Sequence, residues 1–188
     1  MKPRASHAVT LHILLNETRN RMHRRTFLRL TGQAALAGSL GATLAACAPK
    51  NDFAGIKLTQ LDGQSLPLSE LLGRPLLVTF WATTCPGCVE EIPLLSQLHQ
   101  RFTGKGLTVL GVAMDYDPPA QVRALTEKRA IPYTIALDSG GAAARAFGNV
   151  RLTPTSFLLD AKGQIAYQKI GIIDATRVEE LLKGMLGA

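Results

Sequence analysis

WATTCPGCVEEIP, residues 81–93, decides how the rest of the chain is read. Cys85 and Cys88 stand three apart, with Pro86 and Gly87 between them, and the chain holds only one other cysteine, Cys47. The run before them, PLLVTFWA (75–82), is continuously apolar and rich in β-formers, which predicts a buried strand. After them, Val89, Ile92, Leu95, Leu98 and Phe102 recur in steps of three and four, the period of one helix face. Gly104 and Gly106 close that helix. The two sulfurs therefore fall where a strand turns into a helix.

Two sulfurs so close can be a staple, half of a metal site, or a reagent. A disulfide between residues three apart closes a tiny loop and restrains the unfolded chain little. Zinc needs about four ligands. Past residue 47 the chain offers His99 as its one histidine, fourteen residues beyond Cys85. That is roughly 21 Å along a helix, too far to close a site with both sulfurs. A copper carrier needs thioethers near the pair, and beyond residue 47 only Met114 and Met185 exist, neither close in sequence. A reagent fits the position better. A cysteine at a helix N-terminus meets unpaired N–H groups and the positive end of the helix dipole, which favour the nucleophilic thiolate. A second cysteine one turn later can attack the mixed disulfide and release the partner. Pro86 suits the first helical turn, where its missing N–H costs nothing.

The remaining chain alternates strands and helices. IKLTQLDGQSLPL (56–68) carries a hairpin signal at Asp62-Gly63, and SELLG (69–73) suits a short turn. LTVLGVAMDY (107–116) predicts a second buried strand, and Pro118 opens a helix through Arg129. YTIALD (133–138) predicts a third strand, followed by a short helix over Ala142–Phe147. Thr155 to Ile172 holds two strands joined at Asp160-Ala161-Lys162-Gly163. Asp174 starts a last helix with Val178, Leu181, Leu182, Met185 and Leu186 on one side. This pattern predicts an α/β sandwich, a mixed sheet with a largely parallel centre, flanked by helices and closed by an antiparallel edge.

With these residues in view, the chain resembles the thioredoxin superfamily, and within it the exported TlpA/ResA-like thiol-disulfide oxidoreductases. The resemblance rests on Phe80-Trp81-Ala82, Cys85-Pro86-Gly87-Cys88 and Glu90-Glu91-Ile92-Pro93, with Pro93 where thioredoxins carry a helix-kinking proline. It continues in Thr153-Pro154-Thr155, which matches their cis-proline segment, and spans about residues 53–186. It implies a thioredoxin-like fold with an added N-terminal β-hairpin, and disulfide exchange in which Cys85 attacks and Cys88 resolves. Glu91 matches the acid such proteins use to move protons. Trp81, Pro86, Thr153 and Pro154 would line the partner-binding groove. Two positions depart from the pattern. Thr79 stands where thioredoxins bury an acid, and Thr84 where many relatives carry a second tryptophan. From the residues alone, Glu90 and Glu91 are equally readable as solvated charges in an early helical turn, and Trp81 as a core residue.

The expected partners are protein thiols and disulfides and an upstream membrane electron donor, with the chain acting as a monomeric reductase. No metal or organic cofactor is implied. Rival readings are an oxidant or isomerase on the same fold, a peroxiredoxin-like peroxidase, and a copper carrier. The peroxidase pattern Pro-x-x-x-Thr-x-x-Cys is absent, since Val78 and Ala82 occupy its first two fixed positions.

The charge of the chain, +7, is unevenly placed. Residues 1–46 carry seven Lys/Arg against one acid, whereas residues 47–188 carry fourteen against thirteen. A nearly neutral body argues against nucleic acid as a partner. The basic part reads as a leader: Arg24-Arg25 before Phe27-Leu28 resembles a twin-arginine signal, and a short apolar stretch runs from Ala34 to Ala46. Leu44-Ala45-Ala46-Cys47 resembles a lipobox, which makes Cys47 the expected lipidation site. The expected organisation is a leader over 1–46, with translation starting at Met22, a lipidated tether over 47–54, and a thioredoxin-like domain over 55–188. The expected location is the periplasmic side of a bacterial membrane, where disulfides persist.

Overall fold

A computed structural model of the chain describes residues 53–187. The leader, Cys47 and the first residues of the tether lie outside that range. Seven strands form one sheet in the order β2-β1-β5-β4-β3-β6-β7. They are β1 (Lys57–Gln60), β2 (Ser65–Pro67), β3 (Leu76–Trp81), β4 (Thr108–Ala113), β5 (Thr134–Leu137), β6 (Thr155–Leu159) and β7 (Ile165–Ile170). The helices are α1 (Pro86–Phe102), α2 (Pro119–Lys128), α3 (Ala142–Ala146) and α4 (Ala175–Leu186). Strands β3, β4 and β5 run parallel; β6, β7, β1 and β2 add antiparallel pairings on either side. The parallel centre is thus three strands wide, and the sheet is mixed.

The sheet is covered on both faces, so β3 is buried at every position. Its side chains alternate between two cores. Leu76, Val78 and Phe80 enter one with Leu110, Val112, Phe157 and Phe147 of the α3 segment. Leu77 and Trp81 enter the other with Cys88, Leu95, Leu98 and Phe102 of α1, Val122 of α2, and Val178 and Leu182 of α4. Arg101 and Glu179 form an ion pair that ties α1 to α4. The folded domain starts earlier than residue 55. Phe53 is 1% exposed and stacks on Phe147 at 4.1 Å, so it belongs to the core and not to the tether.

Two features position the site. Antiparallel pairing of β3 with β6 sets Phe80 opposite Thr155, which brings the loop before β6 beside the loop after β3. Gly111 of β4 leaves room for the Trp81 indole and for Ile135; a methyl group there would meet Ile135 at 2.6 Å and the indole nitrogen at 3.2 Å. The end of β3 is thereby packed flat against its neighbour.

Candidate active site

Cys85 is the N-cap of α1. Its Sγ accepts a hydrogen bond from the Cys88 N–H at 3.2 Å, and its carbonyl accepts from the Val89 N–H. Pro86 opens the helix, as its fixed φ and absent donor favour. Cys85 and Cys88 are joined in a disulfide with Cα atoms 5.3 Å apart, inside the usual range. The two sulfurs differ in access. Cys85 is half-buried, while Cys88 is 2% exposed and packs in the core under α1.

The loop before β6 faces this pair. The Thr153–Pro154 peptide is cis, and the Thr153 carbonyl lies 3.4 Å from Cys85 Sγ. A Cβ on Gly87 would touch Pro154 Cδ at 3.6 Å, so the proline lies against the Cys-Pro-Gly-Cys turn. Thr155 Oγ1 donates to the Leu152 carbonyl, and the Gly171 N–H donates to the Pro154 carbonyl, which fixes the loop from both ends. Pro154 is buried, Thr153 half-buried and Pro86 exposed. Trp81 is 4% exposed and offers a partner almost no surface; its contribution is to the packing behind Cys88.

Glu91 is not a solvated helix charge. It is 1% exposed, one turn beyond Cys88 on the inner face of α1, whereas Glu90 next to it points to solvent. Its Oε1 accepts the Ile173 N–H at 2.8 Å and its Oε2 accepts from Thr79 Oγ1 at 3.3 Å. Burial pushes the carboxyl above its ordinary 4.5, more than these two hydrogen bonds pull it down. Tyr133, in the same core as Cys88, is held protonated above its usual range by burial and by the nearby Glu91 charge.

Three residues around the site carried no functional signal in the sequence. Asp117, 4% exposed, accepts two hydrogen bonds from Thr83, one from its N–H and one from its hydroxyl, both at 2.6 Å. It anchors the loop that leads into Cys85 to the β4–α2 connection. Ser156 and Tyr133 are the others. All three act on residues at least 34 positions away in sequence (Asp117 on Thr83). Only the Asp117-Pro118 pair before a helix hinted at a fixed turn.

An accessible sulfur capping a helix, a buried sulfur one turn in, and a cis-proline loop against both define a thioredoxin-like thiol-disulfide oxidoreductase. The chain belongs to the Redoxin family, which it matches over residues 32–183. It is 28% identical over 126 residues to the thiol-disulfide oxidoreductase ResA of Bacillus thuringiensis, covering 67% of this chain and 72% of that one. ResA of Halalkalibacterium halodurans is 29% identical, with 67% and 70% covered. Among solved structures, a thiol:disulfide interchange protein of the thioredoxin family from Chlorobium tepidum superposes with a TM-score of 0.62 at 27% identity, covering 70% of this chain and 93% of that one. StoA of Bacillus subtilis shares the fold, with a TM-score of 0.58 at 24% identity, covering 66% and 93%.

Proposed function

We propose that this protein reduces disulfides of partner proteins outside the cytoplasm, anchored to a membrane through lipid on Cys47. The observation that carries the reading is the unequal access of the two sulfurs at the head of α1. In the reduced protein the Cys85 thiolate, favoured by the helix terminus, attacks one sulfur of a partner disulfide. The other partner sulfur leaves as a thiolate and takes a proton. Cys88 then passes its proton to Glu91, and its thiolate attacks Cys85 Sγ. The second partner sulfur leaves, and Cys85–Cys88 becomes the disulfide. Two electrons have moved from this protein to its partner, and a membrane electron donor restores the dithiol.

A protein partner is supported by the exposed apolar residues. Tyr116, Leu152, Ile170 and Ile172 are 39–62% exposed. Each is the immediate neighbour in sequence of Asp117, Thr153, Gly171 or Ile173, residues that hold the loops around the disulfide. The export reading rests on the twin-arginine-like and lipobox-like segments before Ala48.

Direction is decided by the reduction potential of the Cys85–Cys88 couple. The reductase reading expects equilibration with glutathione buffers to give a value at or below about −230 mV, toward thioredoxin. A value above about −150 mV, toward strong oxidants, would reverse the assigned direction.

A further inference from the structure

The face of the sheet beneath α1 carries two hydroxyls that the exchange steps above leave unused. Thr79 of β3 and Ser156 of β6 are direct cross-strand neighbours, 1% and 0% exposed, on a surface otherwise lined by Leu77, Trp81 and Leu158. Ser156 Oγ lies 2.8 Å from Thr79 Oγ1, which lies 3.3 Å from Glu91 Oε2. Two buried hydroxyls in an apolar layer are costly unless they are paired, and here they are paired in a line that ends on a carboxyl group.

The other carboxyl oxygen, Oε1, is committed to the Ile173 N–H. A main-chain N–H only donates, so the proton of a neutral Glu91 sits on Oε2. A hydroxyl both donates and accepts. When Glu91 is ionised, Ser156 donates to Thr79 and Thr79 donates to Oε2. When Glu91 is protonated, Oε2–H donates to Thr79 and Thr79 donates to Ser156. Both hydrogens rotate, and no heavy atom has to move. An N–H group or a valine at position 79 would serve one state at most.

We propose that Thr79 and Ser156 are positioning residues for disulfide exchange: a reversible hydroxyl pair that holds the Glu91 carboxyl in place in both of its protonation states as the proton passes between Glu91 and Cys88. The proposal rests on the reading of Glu91 as the proton acceptor for Cys88. The proton is the only atom transferred, and it returns when the protein is reduced again. Tyr133 keeps its proton. Asp174, beside Ile173, is exposed and caps α4 through the Arg177 N–H. Tyr167 accepts from the Asp174 N–H, Glu90 faces solvent, and His99 lies two turns along α1 with its ring 6.3 Å from Tyr133.

The test is the pH profile of single-turnover reduction of insulin by the reduced protein, for wild type, Thr79→Val, Thr79→Ser, Ser156→Ala and Glu91→Gln. Losing a hydrogen bond to the ionised carboxylate favours its neutral form. Thr79→Val should move the acid limb of the profile upward by about one pH unit. Ser156→Ala should move it the same way by less, and Thr79→Ser should restore it. Placed in a Glu91→Gln background, neither Thr79→Val nor Ser156→Ala should move the limb. Should Thr79→Val not fold, Ser156→Ala, which removes one oxygen only, carries the test. Profiles of Thr79→Val and Ser156→Ala that coincide with wild type, while Glu91→Gln still alters it, overturn the positioning role alone. A Glu91→Gln profile identical to wild type overturns the acid itself, and the positioning role with it.

Discussion

Glu91 shows how burial changes what a residue is. In the sequence it is one of two adjacent acids in an early helical turn, where either could be solvated. The structure separates them, because α1 turns one inward and the other out. Its raised titration has a consequence for stability. A carboxyl that holds its proton more tightly in the folded than in the unfolded chain stabilises the fold at low pH. That contribution is lost as pH rises from the unfolded value, about 4.5, through the folded one. Glu91→Gln cannot ionise, so its melting temperature should gain on wild type as pH is raised from 4 to 8, measured by thermal unfolding at each pH. A constant difference across that range would mean that Glu91 titrates as in the unfolded chain. The start of α1 leaves the Cys85 sulfur half-buried and commits Cys88 to the core. Iodoacetamide should therefore modify Cys85 first in the reduced protein, at pH values below the free cysteine pKa of about 8.5. Faster modification of Cys88, read by peptide mass, would contradict the assignment.

Most elements were legible because their signals are local. The apolar run of β3, the three-and-four spacing of α1 and the Asp160–Gly163 turn each lie within one element, and the observed bounds differ from the expected ones by a few residues. The sheet order was not legible in the same way. Pairing of β3 with β6, and of β1 with β5, joins segments far apart in sequence, and periodicity carries no information about partners. The same limit hid Asp117, Tyr133 and Ser156, whose meaning depends on neighbours far away in sequence. The loop anchor at Asp117 gives a prediction at this scale. Removing it leaves the Thr83 N–H without its acceptor in a partly buried position, and the hydroxyl with only the longer bond to Gln121 Oε1 at 3.4 Å. Asp117→Ala should cost about 1.5–3 kcal/mol of stability, the usual range for hydrogen bonds to a charged group. Asp117→Asn should recover part of that loss, because its side-chain oxygen still accepts one bond. A denaturant midpoint unchanged in Asp117→Ala would show that the loop is held by other contacts.

For the whole molecule, the proposed function joins a disulfide-exchange domain to a tether that carries lipid on Cys47. Among the described residues no helix is long and apolar enough to cross a membrane. The proposed membrane attachment is motivated by the lipobox-like segment ending at Cys47. Cys47→Ser should release the domain from membranes or block its processing. A correctly cleaved Cys47→Ser protein that still sediments with membranes would remove the lipid anchor from the account. In the proposed reaction the domain meets partner proteins through the face where Cys85 lies between the Thr153 carbonyl and the head of α1. The division of labour between the sulfurs is the centre of the account, and trapping tests it most directly. Cys85→Ser and Cys88→Ser proteins would be expressed in the native host, quenched in acid with alkylating agent, and resolved without reductant. Cys88→Ser should accumulate mixed disulfides with partner proteins through Cys85, and Cys85→Ser should trap few or none. Equal trapping by the two variants, or adducts on Cys88 alone, would contradict it.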